Sequence, residues 1–136
     1  MRVGDSPSYL EAAYTLRAPL SSGSWGFVGD GILAGGDQVR VRFEARLRPA
    51  GTLSGDDSRD VVLAQAENTF IRNPNQPFAA VPFATTTAGS PATSATGDLL
   101  VYRATVIGGS AGTMYILNGD GAKTGGSIPR LTLPAP

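Results

Sequence analysis

Between Gln38 and Arg48 every second residue is apolar. Val39, Val41, Phe43, Ala45 and Leu47 share one face, and Gln38, Arg40, Arg42, Glu44, Arg46 and Arg48 share the other. Strand side chains alternate sides, so this period predicts one long strand with a dry face and a wet or partnered face. A second strong strand is predicted over Leu99–Ile107, with Leu100, Tyr102, Ala104 and Val106 on one face. The Gly-rich stretch 108–112 then predicts a hairpin to a strand over Thr113–Leu117. Weaker strands are predicted at Trp25 and Phe27, a short one in a run punctuated by glycines, and over Asp60–Ala66, with Thr69–Ile71 continuing the latter past a bulge. Phe78–Thr87 contains Pro82, which cannot donate to a ladder, so it reads as an edge strand or an irregular segment. A last short strand is expected over Ile128–Leu133.

Turn signals separate these segments. Gly35-Gly36-Asp37 leads into the long strand, Arg48-Pro49-Ala50-Gly51 ends it, and Arg72–Pro77 and Asn118–Gly121 are breaks. Residues 88–97 are small and uncharged and read as a flexible surface loop. Residues 1–24 are ambiguous. Ser8 and Glu11 sit at N-cap and capping-box positions, but the segment is too short to stand as a helix, and the reading adopted is an extended N-terminal arm. The chain thus reads as an arm, 1–24, and one domain, 25–136, an all-β sandwich or jelly roll of about seven to eight short strands.

Composition narrows the chemistry. With 136 residues the chain has the size of one domain. It contains no Cys and no His, so disulfides, thiolate metal sites and imidazole-dependent catalytic triads are excluded. Eleven bases balance eleven acids, so no global field draws nucleic acid or an anionic membrane. The first residues lack the apolar core of a signal peptide, and no run approaches the ~20 apolar residues that span a bilayer.

The bases are all Arg except Lys123. Arg40, Arg42, Arg46 and Arg48 form a row that suits cross-strand pairing with acids, a subunit interface, or a grip on phosphates and carboxylates. Asp56, Asp57 and Asp60 crowd one loop, but the spacing is not that of a calcium loop, and solvated loop acids are expected. The glycines of 23–29 are not followed by a helix or a Gly-Lys-Ser/Thr signature, so no phosphate loop is read there. No catalytic residue, metal or cofactor is assigned. Tyr9 and Tyr14 stand out as intermolecular anchors, since no strong intramolecular element is predicted around them.

The run Ile32–Ala45, with its L-x-x-G-D-x-V-x-V pattern, resembles the small jelly-roll structural modules in virions of tailed bacteriophages. Leu99–Val106 and its Gly-rich continuation fit the same pattern of strands and turns. The resemblance implies a capsid decoration, or cement, protein: a homotrimer on the outside of the shell, bound to the major capsid protein, with no enzymatic activity. It implies synthesis in the host cytoplasm and residence on the capsid surface, with neither nucleic acid nor membrane as partner. The candidates for those contacts are Tyr9, Leu10, Tyr14, Arg40, Arg42, Arg46 and Arg48. The alternative is a tail-fibre or appendage module that recognises a host glycan or receptor through loops 51–59 and 88–97.

Overall fold

A computed structural model describes residues 9–72, 75, 81–89, 93–109, 113–116 and 130–134. Among these there are eight strands and no helix: β1 (Tyr9–Thr15), β2 (Ser24–Ala34), β3 (Gln38–Arg48), β4 (Val61–Ile71), β5 (Val81–Ala88), β6 (Leu99–Gly109), β7 (Thr113–Ile116) and β8 (Arg130–Thr132). The long alternating segment is β3, with the bounds its period predicts.

The first six strands pair in nested order. β3 pairs with β4, β2 with β5 and β1 with β6, all antiparallel. This double ribbon is rolled so that its strands fall into two sheets, β1-β6-β3-β4 and β5-β2-β7, with β8 also against β2. Such wrapping is the jelly-roll plan, and the sandwich it makes is the expected fold class. β5, which carries Pro82, is an edge strand, as the missing N–H requires.

The ribbon can roll only if the chain crosses between sheets without strain. At the crossing from β2 to β3, Gly35 and Gly36 have φ of 78° and 71°, a left-handed conformation that side chains resist. At the end of β6, Gly109 has φ of 127°, and a Cβ there would collide with the carbonyl oxygen of Gln38. Two bulges adjust the central sheet. The β3–β4 register steps from Ala45↔Ala64 to Arg46↔Val62, leaving Leu63 as the extra residue. This is why Leu63 and Ala64, adjacent in sequence, are both buried. The bulge expected in this strand therefore exists, but before Ala64 rather than after Ala66. The second bulge leaves Ile107 unpaired between Gly108↔Arg40 and Val106↔Val41.

Rings from both sheets fill the space between them. Phe43 of β3 lies 4.6 Å from Phe83 of β5 and 6.0 Å from Phe27 of β2, both stacked, and 6.2 Å from Tyr102 of β6. Phe70 of β4 meets Phe83 edge-on at 5.5 Å. Val39, Val41, Ala45 and Leu47 extend this core along β3. Burial raises the Tyr102 phenol above its ordinary range, so it stays protonated inside the core.

Three expectations are corrected. The arm is not free: Tyr9–Thr15 is neither helix nor tether but the edge strand of the domain's own sheet, paired residue by residue with β6. Its alternation is short and interrupted by Ala12-Ala13, so only the partner strand reveals it. β6 and β7 do not form a hairpin, because they lie in different sheets and β7 pairs with β2. The described part of the small-residue loop is tied down. Ser94 Oγ accepts a hydrogen bond from Leu20 N at 2.7 Å, and the Asp98 carboxylate accepts from Ala50 N and Ala95 N. The turn expected over 118–121 lies outside the described residues.

Removing the central ring tests this core. Phe43→Ala is expected to lower the unfolding free energy by about 3–5 kcal/mol in urea titrations. Ile71→Ala, at an exposed position of β4, is expected to change it by less than about 0.5 kcal/mol.

Candidate functional site

The outer face of the β1-β6-β3-β4 sheet carries the chain's most distinctive chemistry. On this face the register sets Glu11 of β1 opposite Arg103 of β6, and Arg103 opposite Glu44 of β3. Arg46 and Arg48 follow on β3, and residues 49–60 return over them. The outcome is a layer of three guanidiniums and four carboxylates.

Asp60 is its centre. Arg48 grips it with two parallel bonds, Nε to Oδ1 at 2.7 Å and Nη2 to Oδ2 at 2.8 Å, and Arg46 Nε donates a third at 2.8 Å. Arg46 Nη1 also donates to Glu44 Oε2 at 2.7 Å. Arg48 Nη1 reaches across β6 to Glu11 Oε1 at 3.0 Å. Arg103 donates to Glu11 Oε2 through Nε at 2.8 Å and to Asp57 Oδ2 through Nη2 at 3.0 Å. The Arg103 guanidinium also lies 4.4 Å from the centre of the Tyr9 ring.

This face was expected to be wet or partnered, and over Arg46, Arg48 and Arg103 it is partnered. The Asp60 side chain is fully buried and that of Arg48 is only 4 % exposed. Glu44 and Arg103 are buried as well. Val101, between Ala13 and Arg46 in the register, is fully buried yet lies outside the inter-sheet core. The arginine stems and the returning loop cover this side of the sheet.

Charge in such a place is stable only when paired. Burial is the largest single influence on Glu11 and on Asp60, and it pushes both carboxyls upward. The hydrogen bonds and charges of Arg48 and Arg103 on Glu11, and of Arg48 and Arg46 on Asp60, outweigh it and hold both below their ordinary values. The bonds to Asp60 raise Arg48 above its ordinary value. Of the loop aspartates, Asp56 and Asp57 are exposed, as expected, and only the Asp60 side chain is withdrawn from solvent. Asp56 accepts from Ser58 N and Oγ, Asp57 meets Arg103, and Asp60 meets Arg46 and Arg48. No group of three potential ligands that could hold a metal occurs among the described residues.

The candidate contact residues thus separate. Arg46 and Arg48 are committed to the buried layer. Tyr9 lies under Arg103, and half-buried Leu10 packs against the core. Tyr14 remains 58 % exposed. Arg40 and Arg42 share Glu67 loosely, at 3.9 and 3.6 Å, with the Arg40 side chain more than half exposed and that of Arg42 about a third exposed with its Nε buried. The alternation showed which residues share this face. It could not show that Glu11, Asp57 and Asp60 converge on it, or that Arg103, in an apolar strand, joins them.

Two measurements probe the layer. Both carboxyls have folded values below their unfolded ones, so their stabilisation is complete above the ordinary carboxylate range and is lost as pH falls through and below it. The melting temperature is expected to stay level from about pH 7 to 5.5 and to drop steadily below about pH 4.5. Arg48→Met leaves Asp60 and Glu11 short of a partner and is expected to cost about 3 kcal/mol at neutral pH, with a shallower loss in acid. No protein-family model, curated protein or solved structure matches this chain.

Proposed function

We propose that this chain is a structural module of a phage virion, a decoration protein that binds the major capsid protein on the outside of the shell and stabilises it. The observation that carries this reading is the nested pairing of β1–β6 rolled into two sheets, which agrees with the jelly-roll resemblance of the Ile32–Ala45 segment. The mechanism is adhesion. A rigid sandwich presents main-chain groups at its sheet edges and a few uncommitted side chains, and each copy adds a modest contact to the shell.

Arg40 and Arg42 are the contact residues of this reading, because their side chains reach solvent and are not locked into the buried ion layer. The appendage alternative draws less support. Asp57 in loop 51–59 is paired with Arg103, Asp56 is turned onto Ser58, and Ser94 and Asp98 accept hydrogen bonds from Leu20 N and Ala50 N of the body.

Immunogold labelling of particles made from the genome that encodes this chain tests the proposal. Regular label over the heads is expected; label at tail tips, or on no particle, would sink it. Arg40→Ser with Arg42→Ser is expected to weaken binding to undecorated capsids about tenfold, equivalent to about 1.4 kcal/mol, with an unchanged melting temperature.

A further inference from the structure

The β1-β6-β3-β4 sheet ends on β1, and no further strand pairs with β1 among the described residues. Exposed strand edges invite pairing, and proteins guard them with prolines, bulges or inward charges. Two other edges of this sandwich are guarded. β5 contains Pro82, and β4 is broken by the Leu63 bulge. β1 has neither device: its seven residues run without a register shift.

Its one charge is also disarmed. Glu11 is drawn over the sheet to Arg48 and Arg103, so it offers no net repulsion to a strand arriving on the open side. The sequence Tyr9-Leu10-Glu11-Ala12-Ala13-Tyr14-Thr15 is moreover complementary to itself when reversed. Centred on Ala12, an antiparallel copy sets Leu10 opposite Tyr14, Glu11 opposite Ala13 and Tyr9 opposite Thr15. The shift keeps every residue on its own face of the sheet. The only like charges near each other are the two Glu11 carboxylates, on a diagonal, each already held by two arginines.

We infer that β1 is a self-association edge: it pairs antiparallel with β1 of a second copy across a two-fold axis, joining two four-stranded sheets into one of eight strands. The pair covers Tyr14, the most exposed aromatic of the strand, against Leu10 of its mate. Because one short strand buries less area than a standard interface, the pair dissociates on dilution. This surface gives a two-fold pair, not the homotrimer that the resemblance implies.

Sedimentation of the full chain tests the inference directly. The expected mass at high concentration is twice the 14.0 kDa of one chain, falling to a single chain on dilution. Tyr14→Lys is expected to give only single chains, with an unchanged circular dichroism spectrum and melting temperature. The chain has no Cys, so an Ala12→Cys variant carries one thiol, placed opposite itself across the axis. It is expected to form a disulfide-linked pair on mild oxidation. Ala13→Cys is not, because its two copies are about 8 Å apart by strand spacing and rise. Single chains at every concentration, a trimeric mass, a pair indifferent to Tyr14→Lys, or equal cross-linking at both positions would each overturn the proposal.

Discussion

The clamp of Arg46 and Arg48 on Asp60 holds together the parts of this molecule that strand pairing alone leaves loose. It joins the end of β3 to the loop that follows it, and through Glu11 and Arg103 it reaches β6 and the edge strand β1. A buried ion pair is a costly element, because desolvation offsets much of the attraction. Its value here is geometric. Glu11 of β1 meets donors from β3 and β6, Asp60 of the loop meets donors from β3, and Asp57 of the loop meets one from β6, so the layer is satisfied only when the 49–60 loop, β3, β6 and β1 are all in place.

One sheet is dry on its inner face and over part of its outer face, by two different means. Between the sheets, stacked and edge-on rings from β2, β3, β4, β5 and β6 exclude water. On the outer face, arginine stems and the returning loop do so, deeply enough to bury Val101. The second cover explains why a strand with alternating arginines lies in the middle of a sheet without exposing them all.

That arrangement also shapes the functional reading. The half of the arginine row nearest the 49–60 loop is structural, and the half bearing Arg40 and Arg42 is only loosely paired, with Glu67. Tyr14 and the edge of β1 offer a second kind of surface, recognised through main-chain groups rather than charge. An adhesive role that uses such surfaces needs a rigid body behind them, and the ion layer supplies it by fixing the edge strand to the sheet interior.

Periodicity in the chain determined where the strong strands lie. β3 has the predicted bounds, β6 nearly so, and Pro82 marked an edge, because alternation and a missing donor are local properties that survive any context. Composition likewise excluded thiolate and imidazole chemistry outright. Only the folded molecule decided that the Tyr9–Thr15 segment is a strand, that β6 and β7 part into different sheets, and that the arginine face is partly dry. Glu11 is separated from Arg48 by 37 residues and from Arg103 by 92. Contacts of that range arise from how the ribbon rolls, and no window of sequence contains both partners.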